Sequence, residues 1–387
     1  MSLNDTPEAE RIHIGFFGIR NAGKSSLVNR VTNQTVSVVS DVKGTTTDPV
    51  KKSMELLPLG PVTVIDTPGF DDEGSLGDLR VARTREVLST CDIAVFVTEN
   101  EALTEDEKAL LSLIEKRGIP LVKVKNKTDL SNGAPEGFIF VSAAENKGIK
   151  ELKNSLAALA PKKKEIRFVA DLINEGDAVV LVIPIDTAAP KGRIILPQQQ
   201  AIRDVLDARG ISVVTGVEDL AGVLNKITPA LVVTDSQVFA RVMKIVPDDV
   251  PLTSFSILMA RYKGFLDVAV KGAGAIDRLT SSSRVLVSEG CTHHRQCEDI
   301  GTVKLPAWIR KRTNADPEFV FTSGHGFPED LSGYDLVIHC GACMLSDNEV
   351  KNRMDAAVSA GVPFTNYGVA IAHLNGILER SIKPIYK

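Results

Sequence analysis

The chain has 387 residues, room for two or three domains. Hydrophobic residues make up 43% and charged residues 24%, an ordinary soluble composition, and the formal net charge of -4 provides no basic footprint for a nucleic-acid partner. Residues 1–11 are polar and no apolar run reaches the roughly 18 residues of a membrane span, so neither a secretion signal nor a membrane segment is expected, and the predicted location is the cytoplasm.

Residues 12–17 read as a strand that runs straight into Gly18-Ile-Arg-Asn21-Ala22-Gly23-Lys24-Ser25, a match to G-x-x-x-x-G-K-[ST] at every fixed position. A helix follows from Ser26. In this context the glycines let backbone N–H groups wrap phosphates, Lys24 reaches the β and γ oxygens, and Ser25 ligates Mg²⁺. The phosphate contacts are therefore expected from Gly18, Asn21, Ala22, Gly23, Lys24, Ser25 and Ser26.

A second strand ends in Asp66-Thr-Pro-Gly69, where Asp66 is expected to hold Mg²⁺ through water and the Gly69 N–H to sense the γ-phosphate. The strand at 121–125 leads to Asn126-Lys127-Thr128-Asp129. A carboxylate at Asp129 accepts two hydrogen bonds from the N1–H and 2-amino group of guanine, whereas adenine presents neither donor on that edge. Ser142-Ala143-Ala144, after a strand at 138–141, takes the place of a further base-contacting loop. Four motifs in this order, each at a strand end, predict a guanine-nucleotide switch binding GTP or GDP with Mg²⁺.

Residues 1–160 accordingly resemble the GTPases of the TRAFAC class, in the branch typified by Era and TrmE/MnmE. The resemblance implies that Asn21 helps hold K⁺ beside the phosphates and that a threonine of 41–48 caps Mg²⁺ in the GTP state; Thr46 is favoured, with Thr45 and Thr47 as rivals. The catalytic set is then Lys24, Thr46 and Gly69. Phe70 stands where Ras-like enzymes carry a water-positioning Gln, so intrinsic hydrolysis is expected to be slow and K⁺-activated. The acids of 71–74 read as solvated loop charge of a second switch, and Cys91 as a buried small hydrophobe.

The helix at 149–159 closes the first domain, assigned to 8–162, and Pro161 followed by three lysines is a polar break. The second domain, 168–258, carries a strand at 178–183, a second apolar run at 193–195, a helix with apolar positions at Ile202, Val205 and Leu206, and strands at 211–214 and 231–233. It holds no phosphate loop or ligand cluster. A small α/β sheet with open edges needs a partner, so dimerisation is expected here.

The third domain, 259–387, alternates again: helical 260–279, a strand to Ser288, a helix near 304–312, a short strand at 319–321, a strand to Ile338, a helix at 349–360 and a last helix to Arg380. Two of its strands are followed at once by Cys291-Thr-His293-His294-Arg-Gln-Cys297 and by His339-Cys340-Gly-Ala-Cys343. Four of the chain's five cysteines lie in these two pieces. In a doubly wound α/β sheet, ligands sit at the carboxyl ends of the strands, which gives the pieces a reason to meet. Thiolates suit iron–sulfur clusters and also zinc, and a structural zinc on three cysteines and one histidine remains open at this point.

The whole arrangement, an Era-like GTPase domain, a domain without ligands, and a C-x-H then H-C-x-x-C signature, resembles HydF, the GTPase among the maturation factors of [FeFe]-hydrogenase. That resemblance implies a [4Fe-4S] cluster on Cys291, Cys340 and Cys343, with His293 and His339 as signature histidines of open role. It further implies a diiron precursor as cargo, a homodimer through the middle domain, work with the radical-SAM maturases HydE and HydG, and delivery to the apo-hydrogenase HydA. Cys297 and His294 add donors beyond the signature, and the fourth iron ligand stays open among a histidine, Glu289, Glu298 and water. Two other readings stand beside this one: a ribosome- or tRNA-associated GTPase with a structural zinc domain, and a zinc metallochaperone gated by GTP.

Overall fold

The computed structural model describes residues 6–33, 49–70, 75–131, 133, 135–161, 166–185, 194–290, 300–324 and 326–386. The chain separates into two compact units, Met1–Lys163 and Lys164–Lys387.

The first unit is a six-stranded sheet built from β1 (Ile12–Phe17), β2 (Val50–Leu56), β3 (Gly60–Asp66), β4 (Ile93–Thr98), β5 (Leu121–Lys125) and β6 (Ile139–Phe140), in the order β2-β3-β1-β4-β5-β6. The pairs β3-β1, β1-β4, β4-β5 and β5-β6 are parallel; β2 is the antiparallel edge. The continuous apolar runs of β1 and β4 are what a strand covered on both faces requires. Successive residues alternate between two cores. Ile14, Phe16, Val95 and Val97 pack with helices Lys24–Thr32 and Ile149–Leu159, whereas Phe17, Ala94 and Phe96 pack with Leu88, Leu110 and Ile114 on the other side. Edge strand β2 alternates between half-buried and exposed positions, with Lys51 among the exposed ones, a charge pattern that blunts an open edge.

The helix Glu105–Arg117 begins at a capping box, Thr104 Oγ1 accepting from the Glu107 N–H at 3.3 Å while the Glu107 carboxylate accepts from the Thr104 N–H at 2.9 Å, and it ends at Gly118 with φ +67°. Such a cap contributes about 1 kcal/mol.

The second unit holds two four-stranded parallel sheets. One has β7 (Ala178–Val182), β8 (Ile211–Thr215), β9 (Leu231–Thr234) and β10 (Leu252–Ser254) in the order β10-β9-β7-β8; the other has β11 (Arg284–Glu289), β12 (Glu318–Ser323), β13 (Leu336–His339) and β14 (Phe364–Asn366) in the order β12-β11-β13-β14. The two sheets have the same topology: in each, the first strand lies between the second and the third, and the fourth flanks the third. Their last strands match in detail. Val250-Pro-Leu-Thr-Ser-Phe255 and Val362-Pro-Phe-Thr-Asn-Tyr367 each enter a helix whose cap, Ser254 or Asn366, accepts the N–H of the residue three positions on. These helices, Phe255–Tyr262 and Tyr367–Leu374, meet where Ser256 Oγ accepts the Gly368 N–H at 3.1 Å. A Cβ at Gly368 would lie 2.6 Å from the Ser256 Cβ, so only glycine permits this approach. A continuous core joins the sheets, with Val180, Val232 and Phe265 packed together with Leu286, Val337 and Phe364.

The apolar Ile194 and Ile195 lead into a helix: Ile195 caps Leu196–Asp207, its N–H donating to Gln198 Oε1 at 3.0 Å. Two local expectations are corrected. Leu206, expected on the apolar stripe, is 55% exposed, and Ala201 and Val205 carry the burial instead. The region 260–279 is broken at Gly264 (φ +80°) into Phe255–Tyr262 and Leu266–Ala273, followed by a 3₁₀ turn at Ile276–Arg278.

Candidate functional site

The motifs of the first unit converge at the carboxyl edge of its sheet. Register places Phe16 opposite Asp66 and Thr98 opposite Lys125, so the loops that follow β1, β3, β5 and β6 open side by side. Gly18 has no room for a side chain, since a Cβ would sit 2.2 Å from the Val97 carbonyl. Gly23 takes φ +83°, and a Cβ there would strike the Asn126 amide at 2.2 Å. These contacts state in distances why the loop needs glycine at both positions. The Lys24 ammonium is buried and donates to the carbonyls of Gly18 (3.0 Å) and Ile19 (2.7 Å), across the mouth of the phosphate loop.

Ser25 Oγ lies 2.6 Å from Asp66 Oδ2. Two hard oxygen donors side by side fit Mg²⁺, with Ser25 binding directly and Asp66 through water. Asn21 sits at the exposed crest of the loop with φ +61°. Thr46, with Thr45 and Thr47, lies outside the described residues, as do 71–74. Gly69 follows the buried Pro68 after β3, and Phe70 packs on the core beside Ile65 and Phe96.

The base side is a cavity of 650 Å³ lined among others by Gly23, Asn126, Lys127, Asp129, Ala143 and Ala144. Asn126 ties it together: its Nδ2 donates to Ala22 O at 3.0 Å and its Oδ1 accepts the Ala143 N–H at 3.2 Å, so one side chain links the phosphate loop to a base loop. Asp129 is oriented by Ser142 Oγ, which donates to Oδ1 at 2.6 Å and holds the carboxyl below its usual range. It stays ionised, an acceptor pair as guanine needs. Sequence reading missed Arg30, whose Nε donates to Ala143 O at 2.7 Å and braces the last base loop from the phosphate helix. Its only signal was one turn of helix beyond Ser26. Cys91 is wholly buried, and burial pushes its thiol upward into the protonated form, out of metal chemistry.

In the second unit, β11 and β13 are neighbours, with Ser288 opposite His339, so the two thiol-bearing pieces leave the sheet next to each other. Cys291, His293, His294 and Cys297 lie outside the described residues, as does Glu298. The chain reaches them from Gly290, and the Gly290 N–H donates to Cys340 Sγ at 3.1 Å. The Ala342 N–H donates to the same sulfur at 3.3 Å, and Ala342 takes φ +58° to turn the chain towards Cys343. Backbone N–H groups aimed at sulfur stabilise a thiolate and tune the cluster it holds. The half-buried thiols of Cys340 and Cys343, with this support, suit an iron–sulfur cluster, and with Cys291 they are the residues that would hold one. Glu289 accepts from Tyr367 Oη at 3.2 Å.

His339 stands elsewhere. It is fully buried and stacked on Phe364, with Nδ1 3.0 Å from its neighbour's carbonyl, Cys340 O, and Nε2 3.1 Å from Arg353 Nη1. Burial, then the Arg353 charge, lowers its pKa to about 4, so the ring is neutral. Guanidinium only donates, hence Nε2 accepts and Nδ1 carries the proton to Cys340 O. With both nitrogens engaged by protein, His339 holds the backbone of the mount rather than presenting a lone pair to metal.

Comparison with known proteins matches three stretches of the chain. A model of 50S ribosome-binding GTPases matches residues 13–127. The hydrogen maturase F dimerization domain matches 168–264 and the hydrogen maturase F tetramerization domain 267–384, together more than half of the chain. The chain belongs to the HydF family. The region that matches the GTPase model thus precedes the regions that match the two HydF domains. Similar curated proteins include the tRNA modification GTPase MnmE of Nitrosomonas europaea, 31% identical over 160 residues (39% of this chain, 35% of that protein), and GTPase Der of Kosmotoga olearia, 30% identical over 190 residues (43% and 42%). This HydF-family chain therefore spans well under half the length of those relatives. Among solved structures, Aquifex aeolicus Era is 18% identical with a TM-score of 0.36, covering 53% of this chain and 92% of Era. Among the described residues, no helix is long and apolar enough to cross a membrane.

Proposed function

We propose that this protein is a GTP-hydrolysing scaffold that carries a [4Fe-4S] cluster on Cys291, Cys340 and Cys343 and delivers a diiron precursor to an apo [FeFe]-hydrogenase, with HydE and HydG as upstream partners and HydA as the recipient. The observation that carries the reading is the 3.1 Å hydrogen bond from Gly290 N–H to Cys340 Sγ, which brings residues fifty positions apart in the chain to one sulfur. Three cysteines leave one iron of the cluster open to an exchangeable ligand, the property a carrier needs. Domain limits of 8–162, 168–258 and 259–387 belong to the same proposal, as does a dimer built through the middle domain. The GTP site is proposed to turn over slowly, with K⁺ beside Asn21 supplying positive charge at the β–γ bridge in place of an arginine finger.

The test is anaerobic purification and reconstitution with ferrous iron and sulfide. A brown protein with broad visible absorption and about four irons per chain is expected; a colourless protein with stoichiometric zinc would favour a structural zinc domain on a GTPase.

A further inference from the structure

Beside the cysteine mount lies a buried polar network that shares only His339 with the sequence motifs. Arg353 is 5% exposed and sits within the helix Asp347–Ser359. Its guanidinium donates to three chain segments at once: to His339 Nε2 at 3.1 Å, to Gly324 O at 2.6 Å and, one helical turn back, to Glu349 Oε1 at 2.6 Å. Its guanidinium carbon also lies 5.3 Å from the centroid of the Phe327 ring. Glu349 is 6% exposed and His339 fully buried. A buried ion pair is a poor source of net stability, because desolvation offsets most of its Coulombic gain. Its value here is geometric, since it ties β13, the loop after β12 and one helix around the residue that precedes Cys340.

We infer that Arg353 is a positioning residue for the cluster mount: by donating to His339 Nε2 it fixes the Nδ1–H tautomer, which holds the Cys340 carbonyl and with it the turn from Cys340 to Cys343. This rests on the cluster reading above, although the tautomer itself is a property of the metal-free chain. Arg353 touches neither cysteine side chain in the contacts described; it acts through His339. Without the guanidinium, His339 Nε2 loses its donor, the proton is free to move to that nitrogen, and the unprotonated Nδ1 then repels the Cys340 carbonyl. Glu349 keeps the guanidinium oriented and compensates its charge.

The experiment compares the full-length wild type, Arg353→Met, Arg353→Lys and Cys340→Ser, each checked by thermal melting. Spectra of ¹⁵N-histidine-labelled apo-protein, with His339 assigned by difference against His339→Gln, read the tautomer without any metal. Wild type is expected to show Nδ1–H, Arg353→Met a shift towards Nε2–H, and Arg353→Lys partial return. After reconstitution, chelator competition should show a roughly 10-fold or greater loss of iron affinity in Arg353→Met, with a changed electron paramagnetic resonance line shape and midpoint potential. An unaltered His339 tautomer in Arg353→Met, or wild-type iron affinity and spectrum, would overturn the inference, as would changes that merely follow a loss of folded protein. A wild type with the inferred tautomer that assembles no cluster would sink the carrier reading and leave the positioning of Cys340 standing.

Discussion

Replacing Asp129 by Asn exchanges one of two carboxylate acceptors for a donor that faces the guanine N1–H or 2-amino group. GTP affinity of Asp129→Asn is expected to fall roughly 100-fold or more, whereas xanthine nucleotides, which carry a 2-oxo acceptor, should lose far less; calorimetric titration with both decides, and equal losses would mean that Asp129 does not read the base. A second residue pair predicts a pH window. His13 Nε2 lies 3.5 Å from Glu8 Oε1. The bond to His13 is the main reason the Glu8 pKa drops to about 2, while burial pushes His13 down but Glu8 and Asp92 together raise it above its ordinary value. The Glu8 contribution is complete above its unfolded value of 4.5 and lost as pH falls towards 2; that of His13 is complete below 6.5 and lost as pH rises through its raised value. Both hold only between about 4.5 and 6.5. Glu8→Gln should therefore lower thermal stability by about 1 kcal/mol or less near pH 5.5, with a smaller effect at pH 9, and a loss independent of pH would refute the pairing. At this scale the sequence discloses residues whose role is written in a local motif, such as Lys24, Asp66 and Asp129. Arg30 and Arg353 escape it because their partners lie 113 and 14 positions away. The one available hint for Arg353 was Glu349 four residues earlier on the same helix.

Elements were legible where their physics is local. Buried parallel strands such as β1, β4, β11 and β13 are near-continuous apolar runs, and each motif announces the strand end it follows. The duplicated topology of the second unit was not legible, because the repeat survives in a few residues, Val250-Pro-Leu-Thr against Val362-Pro-Phe-Thr, while the equivalents of Cys340 and His339 are Asp235 and Thr234. One sheet has thiol donors after its third strand, and the other has none there. The apolar run at 194–195 shows a similar limit: so short a run cannot separate a strand from the cap of a helix. Helix against sheet also supplies a prediction. A Cβ at Gly272 would lie 2.1 Å from the Phe364 carbonyl, so Gly272→Ala must push helix Leu266–Ala273 off β14. A destabilisation of about 1–3 kcal/mol or more is expected in chemical denaturation, and a wild-type midpoint would show that the helix yields freely.

For the whole molecule, the proposed function raises the question of how a GTP-dependent switch and a cysteine mount would serve one task. A nucleotide state changes affinity elsewhere only if it makes different contacts in two global states. The switch segments that would make them, 41–48 and 71–74, are outside the described residues, so the coupling belongs to the proposal. K⁺ activation is separable: hydrolysis in KCl should exceed that in NaCl at equal ionic strength, and equal rates would remove the cation from beside Asn21. The measurement that bears most directly on the account is the cluster content of anaerobically reconstituted Cys291→Ser set beside Cys297→Ser. The account predicts that Cys297→Ser keeps the iron and visible spectrum of the wild type, while Cys291→Ser loses the cluster. A Cys291→Ser protein that binds iron and sulfide as the wild type does would contradict the convergence of Cys291 with Cys340 and Cys343 on which the carrier function depends.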